Sequence, residues 1–269
     1  MIKILGLLQS TMKEPTDYGW FHLLFWAIII GLTIFLCSKY EDSSAEKLKK
    51  ILKIFTYTLI GFEIYKQLVF SYSIVDTNII WDYQWYAFPF QFCSTPMYAG
   101  LIVIHAKRES TREKALAFLA TYSIFAGLAA MVYPNDIFVT EIGINIQTMI
   151  HHGGMVVIGV YLLYSQIVPI KLVTVKKAAV LFIIFFLIAL LLNVIVYQVG
   201  INETFNMFFI GPYYKCTLPI LNIIYEQTPY FLFLLIYTLG FSGVACIILG
   251  LAGIVKKTFT SANNKTVDD

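Results

Sequence analysis

KAAVLFIIFFLIALLLNVIVYQV, residues 177–199, runs from Lys177 to Val199 with no further charged side chain. The hydrocarbon core of a bilayer takes roughly 20 apolar residues at about 1.5 Å rise each, so this stretch can cross it as a helix. A helix apolar on every side belongs in a large core or in lipid. Six more segments have the same character, at about 20–38, 51–70, 88–105, 115–133, 144–165 and 228–252. The composition agrees: 13% of the 269 residues are charged and 59% hydrophobic, where soluble domains carry about 25% charge. The sequence predicts an all-α, polytopic membrane helix bundle with seven transmembrane helices, the whole of 1–269 forming one integral membrane domain.

The first apolar run is too long for a signal-peptide core, and LFWAIIIGLTIFLCSKY offers no small-residue cleavage site, so it is kept as a span. The preceding MIKILGLLQSTMKEP suits either a segment on the membrane surface or a frayed terminus. Orientation follows Lys and Arg near span ends. One set of loops holds Lys39, Lys47, Lys49, Lys50, Lys107, Arg108, Arg112, Lys114, Lys171, Lys176, Lys177, Lys256, Lys257 and Lys265; the other has Lys3, Lys13 and Lys215. The asymmetry predicts N-out, C-in. It also accounts for the basic loops without a nucleic-acid partner.

With the direction fixed, counting from each outer end places Cys93 roughly 8 Å deep, His151 and His152 roughly 10–12 Å, Glu63 roughly 10 Å and Lys66 roughly 6 Å. Asn193 falls at a similar level. Ionisable groups inside a span are costly, pair with one another and tend to mark function. Glu63 and Lys66 share a helix face at i and i+3. Around the thiol, FPFQFCSTPMY predicts a helix opened near Pro89 and kinked at Pro96, whose missing N–H frees the Phe92 carbonyl. Gly153 and Gly154, directly after the histidines, predict a close helix approach.

A thiol becomes a nucleophile when a nearby base favours the thiolate. Cys93 with His152 forms a candidate acyl-accepting dyad, with Glu63 or Asn193 to orient the imidazole. The substrate at that depth is a lipid ester. Each residue also has a plainer reading. A buried cysteine can be a small packing residue, paired histidines can be interhelical glue, and Glu63 with Lys66 can be electrostatic structure. Ser94 and Thr95 are substitute nucleophiles. Cys37, Cys216 and Cys246 have no such company. The aromatic segment 200–227 is expected to lie in the interface as a lid, with the sequon NET beginning at Asn202 inside it. Trp81, Tyr83, Trp85 and Tyr86 are interface anchors.

FPFQFCS resembles the LPLQLC signature of YwaF-like integral membrane proteins, and HHGGMVVIGVYLL resembles their fifth helix. Those bacterial proteins are similar to vertebrate transmembrane protein 164, a phospholipid acyltransferase, and more remotely to the androgen-induced lipid-ester hydrolases, which use threonine and histidine. The resemblance implies Cys93 as nucleophile, His152 as the histidine, membrane phospholipids or other lipid esters as partners, and a multi-pass place in a bacterial plasma membrane. FNMFFIGP resembles the family's outer segment and sets Asn206 in the matching position. The glycine expected after it is not obvious, and TPYFLF stands where a tryptophan–proline pair is common.

The alternative is a transporter or channel in which Glu63, Lys66, His151 and His152 relay protons or a polar solute. Neither an internal repeat nor matching broken helices in two halves is visible, which counts against it. A metal site would need Glu63 beside Cys93 and the histidines. The sequence predicts neither metal nor cofactor.

Overall fold

The computed structural model describes residues 2–40, 44–134, 137–201 and 205–265, without the side chains of Ile4 and 259–265. Asn202 and its sequon lie outside them. The helices are α1 (Ile2–Leu8), α2 (Trp20–Lys39), α3 (Ala45–Val69), α4 (Thr95–His105), α5 (Glu109–Leu119), α6 (Tyr122–Val132), α7 (Ile142–Tyr164), α8 (Leu172–Gln198), α9 (Leu221–Gln227) and α10 (Tyr230–Lys265). A short antiparallel hairpin, β1 (Tyr72–Val75) and β2 (Asn78–Trp81), follows α3.

Each of the seven apolar segments is helical over most of its length, but five are long and apolar enough to cross a bilayer among the described residues: α2, α5 with α6, α7, α8 and α10. α3 is as long but carries Lys47, Lys49, Lys50 and Lys53 in its first half and Glu63 with Lys66 near its end. The helical part of the third segment, Phe92–His105, is shorter.

The fourth segment is not one helix. It breaks at Ala120–Thr121, where Thr121 leaves helical geometry (φ −134°, ψ −79°) and its hydroxyl donates to the Ala117 carbonyl at 2.7 Å. No proline or glycine occupies the break.

Burial sorts the spans. Two thirds of the most apolar stretch of α7 is buried, against 17% of α2, so α7 is central and α2 peripheral. α7 packs on α2, α3 and α6. A methyl at Gly127 of α6 would stand 2.5 Å from the His152 carbonyl oxygen, and one at Gly153 would overlap Ile29 of α2. Gly154 has only ordinary contact, with Phe55. The predicted close approach therefore belongs to Gly153 and to an unforeseen partner, Gly127.

At the end of the bundle holding the hairpin, the N-terminal segment is strapped down rather than frayed. Gln9 Nε2 donates to the Val69 and Tyr72 carbonyls at 3.1 and 2.9 Å, the Tyr65 hydroxyl donates to Leu8 O at 2.7 Å, and Thr11 bridges to Glu141. At the opposite end Lys177 pairs with Glu113 at 2.7 Å, and Lys256 donates to Gln166 Oε1 at 2.6 Å.

Candidate active site

The thiol sits in a 3-10 turn at the head of α4 rather than within an α-helix. Residues 88–91 run irregularly, Phe92–Ser94 form one 3-10 turn, and α4 starts at Thr95 with Pro96 in its first turn. A proline there loses no hydrogen bond, since first-turn amides have no intrahelical acceptor. The predicted kink at Pro96 and helix start at Pro89 are thus replaced by a helix start at Thr95. The Phe92 carbonyl, which Pro96 cannot serve, accepts the Thr95 hydroxyl at 2.6 Å. Thr95 is fully buried and engaged, and Ser94 is buried next to the thiol in sequence. Cys93 itself is partly exposed.

Phe92 anchors the turn. Its ring lies among Phe118 of α5, Phe125 of α6, Phe182 of α8, Phe208 and Phe241 of α10, with centroids 5.1–6.5 Å away. Edge-on aromatic contacts of this kind add about 0.5–1.5 kcal/mol each beyond buried area. They fix the backbone next to the thiol.

α7 reaches the same turn. His151 Nε2 lies 2.8 Å from the Cys93 carbonyl oxygen. A carbonyl oxygen only accepts, so Nε2 carries the proton and Nδ1 keeps the lone pair; that Nδ1 is buried with no partner. His152 is held the other way round. Its Nδ1–H donates to the Thr148 carbonyl at 2.8 Å, which leaves the lone pair on Nε2. The two rings are 5.6 Å apart. Backbone carbonyls therefore orient both imidazoles, in place of the expected Glu63 or Asn193.

Glu63 and Lys66 pair as expected, Nζ to Oε1 at 2.9 Å, with side chains 6% and 15% exposed. Gln67 completes the group. Its Nε2 donates to Glu63 Oε1 at 2.8 Å and to the Ala87 carbonyl at 2.7 Å, and its Oε1 accepts the Tyr83 hydroxyl at 2.6 Å. Burial, and secondarily the Glu63 charge, push the Tyr83 phenol above its ordinary pKa. Glu63 Oε2 is buried without a partner. No group of three or more His, Cys, Asp or Glu fit for a metal occurs among the described residues.

The profile of the TMEM164 family matches residues 16–252. The chain belongs to that family. No curated protein and no solved structure matches it. It is a multi-pass integral membrane protein.

In this TMEM164-family chain Asn193 and Asn206 serve the segment after α8 rather than the imidazoles. Asn193 clamps Met207, accepting its N–H at 2.6 Å and donating to its carbonyl at 2.9 Å. Asn206 accepts Gly211 N–H at 2.7 Å and donates to the Lys215 carbonyl at 3.2 Å. Gln91, two residues before the thiol, binds the same segment: Nε2 donates to Asn206 O at 3.2 Å and Oε1 accepts Phe208 N–H at 2.9 Å. Residues 205–211 thereby form a strap over the Cys93 turn. Gln91, Gln67 and Phe92 were missed as site-building residues. The signal for Gln91 lay in the quoted motif itself, as a polar side chain inside an apolar run. Cys37 and Cys216 are buried, and Cys246 is exposed on α10.

Proposed function

We propose that this protein is a lipid acyltransferase or lipid-ester hydrolase acting near the outer leaflet of a bacterial plasma membrane through a Cys93 acyl-enzyme, with membrane phospholipids or other lipid esters as substrates. We further propose seven crossings, N-out and C-in, with α3 and residues 92–105 as the two additional spans. The orientation is supported by fourteen basic residues in one set of loops against three in the other. Cysteine labelling of residues 39–50 from outside intact cells would overturn it.

One observation carries the chemistry: α7 hydrogen-bonds the turn of the thiol through His151, and the next residue, His152, presents an Nε2 lone pair. That is the tautomer a general base needs. In the proposed reaction His152 Nε2 takes the Cys93 proton and the sulfur attacks the ester carbonyl carbon. The carbon–oxygen bond to the lipid breaks, and the leaving alkoxide takes the proton back from His152. The thioester then passes its acyl group to an acceptor hydroxyl, or to water, whose proton returns through His152 to the Cys93 sulfur. Ser94 assists from beside the sulfur, and Lys66 supplies positive charge against the developing anions.

Lipid mass spectrometry of membranes with and without the protein, combined with capture of an electrophilic acyl probe, tests this. Cys93→Ala should abolish both capture and lipid turnover in a folded protein. His152→Ala should have a similar kinetic effect, and the double variant should be hardly worse than either, because members of a catalytic unit are non-additive. His151→Ala should cost less. Full lipid turnover by Cys93→Ala would refute the acyl-enzyme and make Ser94 the residue to test. The relay reading rests on the two orphaned buried atoms, Glu63 Oε2 and His151 Nδ1; proton or solute flux in proteoliposomes that survives Cys93→Ala but not Glu63→Gln would favour it.

A further inference from the structure

At the end of the bundle opposite the Cys93 turn, the start of α8 and residues 246–257 of α10 leave a groove of about 350 Å³ between them. Its walls are Ile170, Leu172, Val175, Leu249, Gly250 and Ile254, its rim carries Lys171 and Lys257, and no carboxylate lines it. The groove exists because α10 has no side chain where α8 comes near: a methyl at Gly250 would meet nothing within 4 Å, and one at Gly253 would only touch Ile170 at 3.5 Å. Leu172, Leu251 and Ile254 around it are exposed. An apolar channel of that size takes an acyl chain. Any lipid chain would fit the walls, but two ammonium groups at the mouth favour one with an anionic headgroup, as basic pockets at the membrane-facing ends of helices do. The neighbouring lysine, Lys256, is turned away to Gln166.

We infer that the α8–α10 groove is a binding site for an anionic lipid of the surrounding leaflet, its acyl chain lying over Gly250 and Gly253 and its phosphate between Lys171 and Lys257. This site is separate from the proposed acyl-transfer site and stands whether or not that reaction occurs. Charge selects the occupant, so a second copy of α10 in the groove is disfavoured by the lysines it would bring with it.

Native mass spectrometry of the full chain in mild detergent, titrated with phosphatidylglycerol or with phosphatidylcholine of the same chains, provides the test. The parent should retain phosphatidylglycerol preferentially. Lys171→Gln with Lys257→Gln should weaken that retention by roughly 25-fold, about fivefold for each basic residue, and leave phosphatidylcholine unchanged. Gly250→Leu, whose Cβ would meet nothing within 4 Å, should displace both lipids. The exposed Cys246 on the groove wall should be alkylated more slowly when phosphatidylglycerol is added, and at the unprotected rate in the glutamine variant. Equal retention of the two lipids by the parent would overturn the inference. So would undiminished phosphatidylglycerol binding by the double glutamine variant, or a dimer mass that Gly250→Leu abolishes.

Discussion

Asn193→Ala isolates the clamp that holds the strap over the thiol. In the parent, the Met207 N–H and carbonyl are both satisfied by this one side chain, at 2.6 and 2.9 Å, and both residues are fully buried. Alanine reaches neither. Leaving a buried donor and a buried acceptor unpaired costs about 1–3 kcal/mol each, so the variant should lose roughly 2–6 kcal/mol. Part of that loss should be local, because Phe208, one residue on, is bonded to Gln91 and packs edge-on to Phe92. Denaturant unfolding in detergent micelles gives the global figure, and amide hydrogen exchange at Met207 and Phe208 gives the local one. Both amides should lose protection, and Cys93 should alkylate faster. A stability change within about 0.5 kcal/mol, the range of an ordinary surface substitution, with unaltered exchange at Met207, would refute the reasoning.

Gly127→Ala should cost about 1–3 kcal/mol in thermal denaturation, the range for overpacking, and should slow acyl-probe capture, because the atom in its way is the His152 backbone carbonyl. Gly154→Ala, with only ordinary contact to Phe55, should be neutral or gain up to about 1 kcal/mol from helix propensity; equal losses in the two variants would dismiss the packing argument. Glu63→Gln leaves the Lys66 ammonium without its counter-charge and should destabilise toward the low end of about 3–5 kcal/mol, since Lys66 keeps 15% exposure; an unchanged melting temperature would show the pair to be energetically idle. Tyr83 has a folded pKa above its unfolded value, so its contribution to stability is complete below pH about 10 and is lost as pH rises through the folded pKa. Ultraviolet titration should show Tyr83 ionising at lower pH in Glu63→Gln, because one of the two causes of the shift has gone.

Periodicity and apolarity made the bundle legible. α2, α7, α8 and α10 need nothing but length and hydropathy, and counting residues along spans pointed to the neighbourhood of His151 and the Cys93 turn that their hydrogen bond shows. The start of α4 was misread because an apolar run with a proline in it looks like a kinked helix, while the same proline is at home in a first turn. What decides between them is tertiary: Thr95 serves the Phe92 carbonyl and five aromatic rings hold Phe92. The break at Ala120–Thr121 left no trace, since a hydroxyl returning to a carbonyl four residues back is equally common in unbroken helices. Asn193 stood out as a polar residue in an apolar span and Asn206 through the family resemblance, yet their partners are backbone atoms, which a sequence does not advertise.

Phe208 and Phe209 both lie at positive φ, 58° and 56°, a conformation that costs an L-residue about 1–2 kcal/mol. The hydrogen bonds of Gln91 to Phe208 and of Asn193 to the neighbouring Met207 are worth about 0.5–1.5 kcal/mol net apiece, so tension in the backbone and grip from the side chains nearly cancel. What remains to keep the strap shut is the Phe208 ring in its aromatic nest. In water that burial would act as a strong latch. In a bilayer it is a weak one, because hydrocarbon tails are as apolar as the nest itself. A lipid chain arriving beside Phe92 would therefore meet little resistance from that burial in taking the place of the Phe208 ring.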